Sequence, residues 1–166
     1  MFLKLTKIHG ESLDAEHEHE IEVDGWKWGM KNSASFQIID ESKANLQTTF
    51  DHLTIDKYFD HASLTLAKYC AHGRHIPEAI FSCRKKTGEY ADDTFLKIKL
   101  TDVKVESIDW PGGKTDAGGP IPETITLSFL EVDAEYKKQR QEGNLHGANH
   151  FHFKVADPSK SEGVAK

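Results

Sequence analysis

Ile21-Glu22-Val23-Asp24-Gly25-Trp26-Lys27-Trp28-Gly29-Met30 alternates apolar and polar residues, but its parity changes halfway. Ile21 and Val23 are odd-numbered, whereas Trp26, Trp28 and Met30 are even. Successive side chains of a strand point to opposite faces, so one parity should hold throughout an ideal strand. A change requires a bulge, or a strand that leaves one packed face for another. Gly25 sits at the change, where a bulge costs least. The behaviour recurs twice. Leu96, Ile98 and Leu100 are even, but Val103 and Val105 are odd; Ile125, Leu127 and Phe129 are odd, but Leu130, Val132, Ala134 and Tyr136 are even. Long bent strands of this kind predict a mainly β fold, either a small antiparallel β-barrel or a curled sandwich.

Working outward, segments rich in Val, Ile, Thr and aromatics predict strands over Phe2–Ile8, His19–Lys31, Phe50–Phe59, Ile76–Thr87, Thr94–Asp109, Thr124–Lys137 and His150–Val155. One flanking helix is expected over Ala62–His72. Asp60 or Ser63 can cap its start, and Gly73 suits a left-handed stop. Ala62, Leu66, Tyr69 and Cys70 recur at helical spacing and form a stripe that packs on the sheet. The expected core includes Trp26, Trp28, Leu66 and Leu127, because large apolar side chains on the apolar parity are normally buried. Lys27, between the two tryptophans, then points outward.

The 166 residues fit one domain, expected over residues 1–156, with a disordered tail over 157–166. Two long polar segments interrupt the strands, Asn32–Thr49 and Trp110–Pro122. The first carries Phe36, Ile38, Ile39 and Leu46, and apolar residues in such a loop point to packing, possible against another chain. The net charge of −6 disfavours nucleic acid. The basic runs Arg84-Lys85-Lys86 and Lys137-Lys138 read as solvated positions. No apolar run approaches the ~20 residues of a membrane span. Alternation from Met1 to Ile8 reads as a strand where a secretory signal would stand, so export without a signal peptide is the expectation. Cys70 and Cys83 do not make a disulfide framework and read as small buried side chains.

The residues offer little for catalysis. There is no HExxH, CxxC, GxSxG or glycine-rich phosphate loop. His17 with His19, and His150 with His152, form two HxH pairs whose side chains would share a strand face, but spacing marks no third ligand. His17 lies in a charged turn and reads as solvated. No cofactor, metal or catalytic residue is therefore expected.

The ordered set of segments carries a resemblance. Gly10-Glu11-Ser12 follows the first strand, then Ile21-x-Val23 leads into Trp26-Lys27-Trp28-Gly29-Met30. Leu53-Thr54-Ile55 precedes the helix, and Gly73-Arg74-His75-Ile76-Pro77-Glu78-Ala79 follows it. Leu96 to Val103 and Glu123 to Phe129 complete the series. Over Phe2 to Tyr136 this series resembles the Hcp proteins of bacterial type VI secretion. The resemblance implies a non-enzymatic subunit of hexameric rings that stack into a tube, with a sheath, a spike protein and effectors as partners. It implies release from the cytoplasm through the type VI machine, and it places Lys27 in the ring lumen. Phe36, Ile38, Ile39 and Leu46 become candidates for the subunit interface. The competing expectation, of another class, is a monomeric carbohydrate-binding β-sandwich with Trp110 as its platform.

Overall fold

The computed structural model describes residues 1–32, 48–87, 91–112, 119–139 and 145–155. Phe36, Ile38, Ile39, Leu46 and the 157–166 tail lie outside the described residues. The elements are β1 (Phe2–Leu5), β2 (Ile21–Glu22), β3 (Gly25–Lys27), β4 (Met30–Asn32), β5 (Thr48–Phe50), β6 (Leu53–Tyr58), α1 (Ser63–His72), β7 (His75–Thr87), β8 (Ala91–Asp109), β9 (Pro122–Ser128), β10 (Glu131–Gln139) and β11 (Leu145–Lys154). The fold is mainly β with one helix among the described residues, as the patterning implied.

The main sheet runs β2-β1-β7-β8-β9-β6-β3, with β10 paired to β8 and β11 to β10. The ladder is not closed into a barrel; it is a curled sheet. Both ends of its path come from one short segment. Val23 donates its N–H to the Met1 carbonyl at 2.9 Å, and Asp24 donates to the Asp56 carbonyl at 2.9 Å. The chain thus leaves β1 and joins β6 within two residues.

That crossing explains the first parity change and corrects its expected form. His19–Lys31 is not one strand bulged at Gly25. It is three short strands with three partners: β2 on β1, β3 on β6, and β4 on β5. Ile21 and Val23 are buried on one side of the crossing, while Trp26 sits opposite the fully buried Ile55 on the other.

The second and third changes are one corner. The first half of β8 pairs with β10, from Leu96↔Tyr136 to Thr101↔Glu131. Its second half pairs with β9, from Lys104↔Ser128 to Asp109↔Thr124. Between them Asp102 adopts a left-handed backbone, φ 54°, which Asp tolerates better than most residues. Opposite it the chain passes from β9 to β10 through Phe129-Leu130, and Leu130 donates to the Thr101 carbonyl at 3.1 Å. Ile98, Leu100, Val103, Val105, Leu127 and Val132 are all buried, so both parities face one core.

Leu66 and Leu127 are fully buried. Trp26 corrects the expected core: it is 36% exposed and leans on Phe81 with ring centroids 5.0 Å apart. Trp28 is half-buried against Phe50, Phe129 and Phe151. Short edge strands cannot cover such large rings on both sides. Helix α1 begins after an Asp60 carboxylate that accepts the Ala62 N–H at 2.9 Å, and Gly73 closes it at φ 58°. Cys83 is buried and Cys70 half-buried.

Two expected solvated residues are instead anchors. Arg84 reaches Asp14 at 2.6 Å and Glu16 at 3.3 Å, fastening the turn after β1 to β7. His17 stacks flat on Phe2, centroids 4.2 Å apart, and pairs with Glu20 at 2.7 Å. Gly10 lets this turn close. A Cβ there would lie 2.6 Å from the Ile21 Cα and collide with the Glu20 carbonyl. Gly10→Ala should therefore lower stability by about 1–3 kcal/mol in urea denaturation. Gly112→Ala, where a Cβ would meet nothing within 4 Å, should change it by less than ~0.5 kcal/mol.

Candidate functional site

Lys27 lies on β3 opposite Thr54 of β6, one position beyond the Trp26↔Ile55 pair. Because Ile55 faces the core, Lys27 and Thr54 face outward. Thr126 of β9 continues this row, and Asp56 with Thr124 forms the next, joined by a 2.8 Å hydrogen bond from the threonine hydroxyl. The Lys27 ammonium has no ion-pair partner among the described residues.

Lys27 borders a cleft of about 450 Å³, shared with Lys31, Phe50, Asp51, His52 and Thr54. The β4–β5 hairpin forms its far wall, through Lys31↔Thr49 and Met30↔Phe50. Asp51 donates its N–H to the Gly29 carbonyl at 2.9 Å, which ties the hairpin base to the strand after Trp28. Behind the hairpin is an aromatic cluster: Phe50 lies 4.6 Å from Phe153 and 6.3 Å from Trp28, centroid to centroid. The cleft therefore offers two lysines, one aspartate and an aromatic wall, a cationic spot on an acidic chain. Such a surface can recognise a partner by charge and contact; among the described residues it holds no nucleophile beside a base.

The residues weighed for other chemistry stand apart. His17 is buried against Phe2, whereas His19 is exposed with φ 62°, so the first HxH pair does not share a face. His152 lies 3.5 Å from Glu131 and 3.6 Å from Asp133, beside exposed His150. Among the described residues no group of three His, Cys, Asp or Glu side chains could hold a metal ion. Trp110 is 43% exposed, but its edge is fixed: Nε1 donates to Glu123 at 2.9 Å and its ring tilts against Phe59.

Glu123 belongs to a buried polar network that the alternation signal alone did not single out. Lys57 on β6 and Glu123 on β9 are direct register partners. The Lys57 ammonium donates to Glu123 at 2.5 Å, Asp60 at 2.9 Å, Ser63 at 3.0 Å and the Tyr58 carbonyl at 2.7 Å. The Ser63 hydroxyl also donates to Glu123 at 2.6 Å. Every donor of the ammonium is used and neither charged side chain is exposed. This joins β6, β9, Trp110 and the start of α1 at one end of the sheet.

The family described as Type VI secretion system effector, Hcp, matches residues 2–136. Protein hcp1 of Pseudomonas aeruginosa is 34% identical over 152 residues, spanning 89% of this chain and 88% of its own length. A solved structure of a type six secretion system protein superposes with a TM-score of 0.83 at 28% identity, covering 93% of this chain and 94% of that one. Hcp1 from Salmonella typhimurium superposes with a TM-score of 0.72 at 34% identity, covering 93% of each chain.

Proposed function

This chain belongs to the Hcp family of type VI secretion, and on that premise we propose that it is the subunit of a hexameric ring that stacks into a secretion tube and carries effectors. Hcp proteins are secreted structural proteins, not enzymes. The observation that carries the proposal is the match along residues 2–136, which spans every element from β1 to most of β10. The sheath, the spike protein and the effectors are then its partners. A ring needs a head-to-tail contact that closes, and a stack needs a second that stays open. Phe36, Ile38, Ile39 and Leu46 are assigned here to the ring contact.

Lys27 is the cargo residue in this reading. It is exposed and has no ion-pair partner among the described residues, its strand is paired to β6 through Trp26 and Ile55, and its cleft holds a second lysine. Ring symmetry repeats it once per subunit. One exposed charge contributes little, but a circle of like charges in a confined lumen sets which proteins enter. Native mass spectrometry should find about six chains per particle. Deleting Ala34–Thr48 should leave folded monomers. Lys27→Glu should keep the ring mass and the melting temperature while changing which effectors co-purify. A wild-type protein that stays monomeric at high concentration would remove the tube and favour a monomeric sugar-binding module. Rings of Lys27→Glu that bind the same cargo equally well would remove Lys27 from the lumen.

A further inference from the structure

Strand β6 has a cleft at each end. His52 and Thr54, at its start, belong to the cleft beside Lys27 and Lys31. Tyr58 and Phe59, at its end, belong to a second one of about 440 Å³, lined also by Leu13, Glu11, Glu22 and Asp24. Phe59 extends the apolar surface there. Its ring tilts against exposed Trp110, and its N–H donates to the carbonyl of exposed Ile121 at 2.8 Å. Aromatic side chains gathered on one exposed patch with a polar rim are the composition of a protein contact.

Leu13 is 91% exposed, yet its backbone is held on both sides. Ser12 is fully buried and donates its N–H to the Glu20 carbonyl at 3.1 Å, while Asp14 is fastened by Arg84 at 2.6 Å. The Glu11 carboxylate accepts the His61 N–H at 2.8 Å, which ties the same turn to the approach to α1. A leucine fixed in water by a folded turn can be covered with little further loss of freedom. Glu22 and Asp24 beside it are exposed and have no ion-pair partner among the described residues. With Glu11 and Asp60, four carboxylates and no cation line this cleft. The surface that fits it is apolar and carries positive charge.

The chain itself offers such a surface at the other end of β6. Two lysines, one carboxylate and Phe50 line the first cleft, and exposed Met30 stands directly across from Phe50 on the β4–β5 hairpin. Lys31, on that hairpin, is exposed and has no ion-pair partner among the described residues.

We propose that the two clefts are the halves of one contact between copies of this chain, in which the acidic patch around Leu13 and Asp24 of one copy covers the Lys31 hairpin of the next. The halves differ, so the contact is head-to-tail and leaves one half free at each end of an assembly. It rests on the ring reading, in which it is the open contact between rings and recurs once per subunit. A single exposed ion pair contributes little, but contacts repeated around a ring act together, and their electrostatic part is screened by salt.

The test is sedimentation velocity of the intact protein at low and high salt, reading the fraction of mass in particles larger than one ring. Wild type should form such particles, and high salt should reduce them. Asp24→Lys, Lys31→Glu and Leu13→Asp should each lower the fraction at least tenfold while the fold persists by circular dichroism, because all three side chains are exposed. Asp24→Lys with Lys31→Glu in one chain should restore at least half of it, since the pair re-forms with its signs exchanged. Wild-type rings without larger particles, stacks unaffected by the single changes, or a double variant as defective as the singles would overturn the contact. Open chains of copies that respond to the exchange but contain no six-membered ring would keep this contact and remove the ring instead.

Discussion

Glu123→Ala should destabilise the fold by about 3 kcal/mol, from losing the fully buried partner of Lys57 and leaving buried donors without an acceptor. That is a large share of the ~5–15 kcal/mol of a typical domain. The loss goes beyond one contact. Without Glu123 the Lys57 ammonium keeps Asp60, Ser63 and the Tyr58 carbonyl, so Asp60 still balances its charge, but it loses its fully buried partner and a cavity opens beside it. Trp110 Nε1 and the Ser63 hydroxyl lose an acceptor in the same step. Lys57→Met with Glu123→Leu removes both charges together and should be much milder than either single loss, since apolar replacement of a whole buried pair is often neutral. Chemical denaturation at fixed chain concentration measures this. A Glu123→Ala protein with wild-type stability would mean that water enters the network and solvates Lys57.

The same network gives an acid limb. Burial pushes the Glu123 carboxyl up, but hydrogen bonds from Lys57, Ser63 and Trp110, with the Lys57 charge, outweigh it and hold the group below its ordinary value. A carboxyl depressed in the folded state adds stability that is present above its unfolded value, roughly 4.3 for Glu. That stability is lost as pH falls through the lower folded value. Glu123→Gln should therefore be less stable than wild type at neutral pH, with the gap closing in acid.

This network shows how much the sequence disclosed. Leu53, Ile55 and Lys57 share one parity, as do Glu123, Ile125 and Leu127. A lysine and a glutamate on the inward parity of two strands are a readable sign of a buried pair. What alternation cannot tell is that β6 and β9 are neighbours in the register that sets 57 against 123. The parity changes were legible in the same partial way. They announced that strands turn corners, and burial of both parities at the β8–β9–β10 corner agrees. They did not say that residues 21–32 would divide among three partners, because strand pairing is a long-range property. His17 and Arg84 were misjudged for the same reason: a charged turn looks solvated until Phe2 and β7 are placed beside it. Lys27 fared better, because its exposure follows from its immediate neighbours.

Phe81→Ala should lower stability by about 3–5 kcal/mol through the cavity it leaves. Phe81 is fully buried in the middle of β7, between Leu3 of β1 and Ile98 of β8 in register. Strands hydrogen-bonded on both sides cannot collapse inward, so the void persists and the transfer and cavity terms add. The ring also carries Trp26, which packs against it from the short edge strand β3. Trp26→Ala should cost clearly less than Phe81→Ala, because a third of the indole is already in water. The double variant should cost less than the sum of the two single losses by about 0.5–1.5 kcal/mol, the coupling of an aromatic pair. This ordering separates two views of the Trp-Lys-Trp segment. If Trp26 were a core residue, its truncation would match that of Phe81. If Trp26 instead rests on the core as the backing of an outward strand, its loss should be the cheaper one, and on the proposed reading of Lys27 it should also alter effector retention.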